Sequence, residues 1–118
     1  AGQGPGSVWL YDISDVGLPV AVGRIPPPRR GAQPVASPDI TSWCAAHGIA
    51  WHPRIENLIA VTWYSAGIGV FDVTLPLMPV EVGFFRAEDS LAEAVVWHGG
   101  LLYSNDLRRG VDVLALDR

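Results

Sequence analysis

Phe71-Asp72-Val73-Thr74, running on to Pro79-Val80-Glu81-Val82-Gly83, repeats without a gap the stretch Tyr11-Asp12-Ile13-Ser14 to Pro19-Val20-Ala21-Val22-Gly23, 60 residues earlier. Asp12/Asp72, Pro19/Pro79, Val20/Val80, Val22/Val82 and Gly23/Gly83 are identical, and Tyr11/Phe71, Ile13/Val73, Ser14/Thr74 and Leu18/Met78 keep shape or polarity. A second match lies at an offset of 43: Asn57-Leu58-Ile59 through Thr74 falls on Gly100-Leu101-Leu102 through Asp117, with Gly67/Gly110, Ile68/Val111 and Val70/Val113 in step. Just upstream, Ala50-Trp51-His52 corresponds to Val96-Trp97-His98, followed by a turn three residues shorter. The repeating unit is therefore about 43 residues long.

Within one unit the apolar runs predict four short strands, at 47–52, 58–64, 68–74 and 79–85, punctuated by Pro53, Gly67 and Pro76 to Pro79. A four-stranded unit cannot bury both its faces alone. A period of this length with four strands per copy is the pattern of an all-β protein built of β-propeller blades, each a sheet of four antiparallel strands packed on its neighbours. In that frame 1–7 is a Gly/Pro tail, 8–28 holds the outer strands of one blade, 44–86 is a complete blade and 87–118 supplies three strands of the next. The longer first offset leaves roughly 17 extra residues between Pro26 and Trp43, and a Pro-rich inserted loop is expected over 29–43.

Composition agrees and excludes several functions. With 49% hydrophobic and 17% charged residues the chain is too apolar to stay unfolded, and 13 Gly with 10 Pro suit many short strands joined by turns. The formal charge of −4 has no basic cluster beyond Arg29-Arg30 and Arg108-Arg109, so a nucleic-acid backbone is not an expected partner. No apolar run reaches the roughly 18 residues of a membrane-spanning helix, so a soluble chain is expected. Cys44 is the single cysteine, which precludes a disulfide within the chain and a Cys-pair zinc site.

Val8-Trp9-Leu10-Tyr11-Asp12-Ile13-Ser14-Asp15 with Pro19-Val20-Ala21-Val22-Gly23, and Gly69-Val70-Phe71-Asp72-Val73-Thr74 with Pro79-Val80-Glu81-Val82-Gly83, resemble the repeat of LVIVD-type propeller proteins. Ala46-His47-Gly48, His52-Pro53, Trp63 to Gly67, Ser104-Asn105-Asp106 and Arg109-Gly110 are similar to closing blades of such bacterial proteins. The resemblance covers most of the chain. It implies a propeller fold and an extracellular or cell-surface location, and it implies no reaction. The insertion and the small number of repeats depart from the family pattern.

On that resemblance, the loops leading into the inner strands and those joining second to third strands gather on one face. They bring Trp43, Cys44 and His47 together with Ser90 and Glu93, and add Tyr64, Ser65, Asp106, Arg108 and Arg109. The binding residues expected there are Trp43, His47, Tyr64, Ser65, Glu93, Asp106, Arg108 and Arg109, a polar patch with an aromatic wall suited to a protein or glycan ligand. His47 and Glu93 hold near-equivalent positions in adjacent units, which would suit a metal pair or a proton relay. The plainer reading is that His47 satisfies a backbone group and that Ser90 to Glu93 forms a capping box. His47 and His52 are five apart on an extended segment, about 16 Å and on opposite faces, so one ion cannot take both and His47 is the lone candidate ligand. Trp51 and Trp97 read as packing residues between blades, Asp12 and Asp72 as turn caps, and Cys44 as a structural thiol.

The residues thus predict a non-catalytic interaction or structural module without a cofactor. The alternative is a metal-dependent or hydrolytic enzyme centred on His47 and Glu93, in the manner of copper-dependent propellers resembling methanethiol oxidase. Two strands, then four, then three leave incomplete terminal sheets, so strand 8–14 or 111–116 is expected to pair with the remaining blades of a parent chain or with another subunit.

Overall fold

Nine strands and no helix make up the described part of the computed structural model, which covers residues 6–30 and 43–117. Residues 1–5 of the expected tail and 31–42 of the expected insertion lie outside it. The strands are β1 (Val8–Asp12), β2 (Val20–Ile25), β3 (Ile49–Trp51), β4 (Leu58–Thr62), β5 (Ile68–Asp72), β6 (Val80–Phe85), β7 (Ala92–His98), β8 (Leu101–Asp106) and β9 (Gly110–Ala115). They form three antiparallel sheets of two, four and three strands, each in simple sequence order. The fold class is all-β, and no helix among the described residues is long and apolar enough to cross a membrane.

The sequence repeat is a repeat of register. Leu10 faces Gly23 and Tyr11 faces Ala21, with an irregularity between Leu10 and Tyr11; 60 residues on, Val70 faces Gly83 and Phe71 faces Glu81, with the irregularity between Val70 and Phe71. A β-bulge leaves one residue unpaired and turns the strand locally, so its recurrence means that the two hairpins bend alike. Both carry the same turn as well: Asp12 Oδ1 accepts from Ser14 N at 2.8 Å, and Asp72 Oδ1 accepts from Thr74 N at 2.9 Å and Thr74 Oγ1 at 2.6 Å. These carboxylates stabilise a turn of the chain, as their recurrence suggests. At the offset of 43, Leu58 opposite Asp72 becomes Leu101 opposite Ala115; across the shorter turn Trp51 opposite Ile59 becomes Trp97 opposite Leu102.

Five of the expected strand limits are drawn in, at both ends of β3, the ends of β4 and β5 and the start of β6, and the ends of β4 and β3 show local reasons. Tyr64 has a positive φ of 47° and Gly67 one of 77°, and this turn takes Trp63 and Tyr64 out of the ladder. His52 leaves β3 because its Nδ1 accepts the backbone N–H groups of Arg54 and Ile55 at 3.0 and 2.9 Å.

The sheets stack face to face. One core layer joins Val8, Leu10 and Ile25 of the first sheet to Ile59, Val61, Phe71 and Val73 of the second. The other joins Ala60, Ile68, Val70 and Phe85 of the second to Trp97, Leu102 and Leu114 of the third. Strand β4 is buried along its whole length, because alternate residues serve alternate layers. Trp97 packs between sheets as expected, 8% exposed, with its Nε1 donating to Ala50 O at 3.1 Å. Trp51, its equivalent, is 60% exposed, because the first sheet, toward which its side of β3 looks, has only two strands and no described strand covers that side as β3 covers Trp97.

Gly23 and Gly83, identical in the repeat, both sit where one sheet touches the next. A Cβ on Gly23 would stand 1.8 Å from the Pro76 carbonyl oxygen, whereas one on Gly83 would meet only Leu116 Cδ1 at 2.9 Å. Neither has a positive φ, so the constraint is space. Gly23→Ala is therefore expected to destabilise by about 1–3 kcal/mol, because backbone must move, while a leucine tip can swing aside for Gly83→Ala. Urea titrations of the two variants test this, and equal midpoints would contradict the close approach. Amide exchange should be slowest in β4 and β5 and fastest in β1 and β9, measured residue by residue in native buffer.

Candidate functional site

The loop residues expected on one face form two groups that meet at the start of β7. The first is built on the Trp63–Gly67 turn. Tyr64 exchanges two backbone hydrogen bonds with Ala92 of the next sheet, both 2.9 Å. Its ring meets Trp43 edge-on (5.6 Å between centroids, 82°) and His47 at 5.3 Å and 62°. Burial raises the Tyr64 phenol above its usual range, and the negative charge of Glu93 raises it further. Ser65 N donates to Trp43 O at 2.8 Å and the Ser65 hydroxyl bonds the same carbonyl, while Ser65 O accepts from Arg86 Nε at 2.7 Å. Ser65 thus fastens the Trp43 segment to the turn.

His47 Nδ1 lies 2.8 Å from the backbone carbonyl of Glu93. A carbonyl only accepts, so Nδ1 carries the proton. The same oxygen accepts from Thr62 Oγ1 at 2.7 Å, and Thr62 Oγ1 accepts from Gly48 N at 2.7 Å. The His47 ring therefore spends Nδ1 on the backbone of the neighbouring sheet, and its contact with Glu93 is not one with the carboxylate. Thr62, fully buried, is the member of this group that sequence reasoning missed; a threonine ending an apolar strand carries no local signal.

The second group is centred on Asp106, which is 2% exposed. Its Oδ2 accepts from Leu91 N at 2.9 Å and Ser90 Oγ at 3.2 Å; its Oδ1 accepts from Arg108 N at 2.9 Å and Arg109 N at 3.0 Å. The Ser90 hydroxyl thus serves Asp106. Burial alone would raise the Asp106 pKa, but these four donors together hold it below the ordinary carboxylate value of 3.8. The Arg109 guanidinium grips Asp112 with bonds of 2.8 and 3.1 Å and lies 3.4 Å from Asp89 and 3.6 Å from Asp106. Leu91, Ala92 and Glu93, consecutive in the chain, tie the two groups together through Asp106, Tyr64 and His47.

The remaining candidates lie apart. His52 meets Trp97 at 4.6 Å with the rings tilted by 56°, and His98 sits 6.4 Å from Tyr103. Among the described residues no three His, Cys, Asp or Glu side chains are grouped to hold a metal ion. Cys44 is fully buried and its thiol is raised by burial, which leaves it a poor nucleophile. A contact that sequence reasoning also missed joins residues 51 apart: Arg30 holds Glu81 with bonds of 2.9 and 3.0 Å, donates to Ala66 O at 3.0 Å and lies 4.3 Å over Phe84. Around the buried Tyr64 ring this face carries the half-buried Trp43, the exposed His47 and Glu93, whose charge reaches the Tyr64 phenol.

The chain matches no family model, and no curated protein and no solved structure is significantly similar to it.

Because the Asp106 carboxyl is held below its ordinary pKa, it contributes stability in full above that range and loses it as pH falls through the folded-state value. Asp106→Ala should cost about 1–3 kcal/mol at pH 7, through buried donors left unpaired. The gap from the parent protein should narrow on acidification below the ordinary carboxylate range. Urea unfolding across that pH interval measures it, and a gap independent of pH would contradict a charged Asp106.

Proposed function

We propose that this chain is a segment of a β-propeller of LVIVD-type repeats that acts at the cell exterior as a non-catalytic interaction or structural module. It contributes one whole blade and parts of two others, and the remaining blades come from further sequence or from another subunit. One observation carries the reading: the bulged hairpin at β1–β2 recurs at β5–β6 with the same register, turn and packing face. Successive copies of one hairpin, each offering the same face to the next sheet, are what a blade array requires.

The loop face is the binding surface in this reading, with Trp43 and Tyr64 as its aromatic wall and a protein or glycan as its ligand. Such rings offer flat apolar area with a polar handle, which suits both. The groups an enzyme would need are otherwise engaged: the Ser65 hydroxyl on Trp43 O, His47 Nδ1 on Glu93 O, and Asp106 on four donors.

Glycan-array binding that disappears in Trp43→Ala, with the sheet signal in circular dichroism and the Tm retained, is the expected result. Elemental analysis of protein purified in the presence of zinc and copper should show well under one ion per chain. Stoichiometric metal that is lost in His47→Ala would replace this reading with the metal-dependent one.

A further inference from the structure

We infer that Glu93, His47 and Tyr64 form a subsite for a primary alkylammonium group, such as a lysine side chain carries. The inference rests on the reading of this face as a binding surface and names the chemical class of its ligand.

Two departures from regular backbone meet here, and each places one polar side chain. The first is a bulge in β7. Ala92 faces Asp106 and Ala94 faces Asn105, so Glu93 between them has no partner in the ladder. A bulge re-aims the side chain it carries and is common beside functional sites. The carbonyl that the bulge frees is taken up by the neighbouring sheet, through His47 Nδ1 at 2.8 Å and Thr62 Oγ1 at 2.7 Å. Gly48 lets β7 come that close, since a Cβ there would stand 2.8 Å from the Glu93 carbonyl oxygen. The second departure is Tyr64, whose φ of 47° is a costly backbone state for a bulky side chain. Its N–H and C=O both bond Ala92, the residue before the bulge, and this fastens the strained turn beside Glu93.

The groups so placed share one character. Glu93 is half-buried, and its carboxylate forms no ion pair among the described residues. Tyr64 is 7% exposed, and its hydroxyl has no hydrogen-bond partner among the described residues. The sealed polar atoms without a partner are Trp63 Nε1 and Ser104 Oγ, so the phenol oxygen reaches solvent. Burial and the Glu93 charge both disfavour the phenolate, which keeps the group a hydroxyl. With Nδ1 of His47 engaged as a donor, Nε2 of the uncharged ring is an acceptor. Arg86 and Arg109 are engaged elsewhere, on Ser65 O and Asp112. A carboxylate, an imidazole nitrogen and a phenol oxygen thus offer acceptors and negative charge, beside the half-buried Trp43 ring. An ammonium answers that set, because it brings three N–H donors, a positive charge and no acceptor. A guanidinium fork, by contrast, is matched by the two oxygens of one carboxylate. Aromatic rings nearby favour a cation further.

Titrations of n-butylammonium and n-butanol into the full chain, followed by NMR at the Trp43 and Tyr64 resonances, test the subsite. The amine should bind with a Kd of about 1 mM and the alcohol at least about tenfold more weakly. Glu93→Gln should weaken the amine at least about tenfold and Tyr64→Phe about threefold, with Tm moved by less than about 2 °C. Equal binding of amine and alcohol, or an amine affinity unchanged in Glu93→Gln, would overturn the subsite. Should a variant unfold, the parent protein carries the test: butylammonium binding that does not weaken between about 0.05 and 0.5 M sodium chloride rules out recognition by charge. A peptide with a central lysine separates the sources. Affinity at least about tenfold above that of n-butylammonium, lost when the lysine is acetylated, assigns the ammonium to a protein partner, whereas equal affinities assign it to a free amine. Glycan binding that persists without any amine binding would sink the subsite and leave the interaction module standing; absence of both would remove the module reading as well.

Discussion

Everything in this molecule depends on a strand that has no solvent side. Leu58, Ile59, Ala60 and Val61 are each at most 1% exposed, and their side chains point alternately to opposite faces of one sheet. A strand of this composition is stable only when apolar layers lie on both faces, since each buried aliphatic side chain contributes about 1.5–3 kcal/mol and leaving either set wet would forfeit it. Hence one sheet cannot stand by itself. The first sheet covers Ile59 and Val61, and the third covers Leu58 and Ala60.

Stacked sheets must also approach closely, and the repeat encodes how. Gly23 brings the first sheet against the Pro76 carbonyl, and Gly83 brings the second against Leu116. The matching bulges at Leu10/Tyr11 and Val70/Phe71 twist each hairpin so that the same side chains reach the next sheet. Asp12 and Asp72 hold the turns that follow. Local chemistry and packing agree at each of these positions, which is why the repeat is legible as sequence.

The loop face follows another rule. Three consecutive residues, Leu91, Ala92 and Glu93, use their backbone groups to fasten Asp106, Tyr64 and His47. Of the polar side chains there that look reactive in the sequence, His47 bonds the backbone of the next sheet, while Ser65 and Asp106 fasten loop segments close to their own strands. What remains at the surface beside the buried Tyr64 ring is the half-buried Trp43 and Glu93 and the exposed His47.

Read alone, the sequence determined the all-β class, the 43-residue unit, the positions of the four strands of one unit to within a few residues, and the turn role of Asp12 and Asp72. Each of these rests on apolar alternation, on Gly and Pro punctuation, or on a side chain bonding two residues away, and such short-range causes are visible in a string of residues. The resemblance to propeller repeats, and not the residues by themselves, gathered His47, Tyr64, Glu93, Asp106 and Arg109 on neighbouring loops, and Glu93 lies instead within β7. Only the tertiary structure decided what those residues touch: that His47 meets a carbonyl and not a carboxylate, that Asp106 is buried under four donors, that Arg30 reaches Glu81, and that Trp97 is covered while Trp51 is open. Trp51 and Trp97 have similar local sequences and the same register, and they differ because Trp97 faces the four-stranded sheet and Trp51 the two-stranded one. Exposure is set by the sheet across the gap, and a residue's own neighbours in the chain hold no record of that sheet.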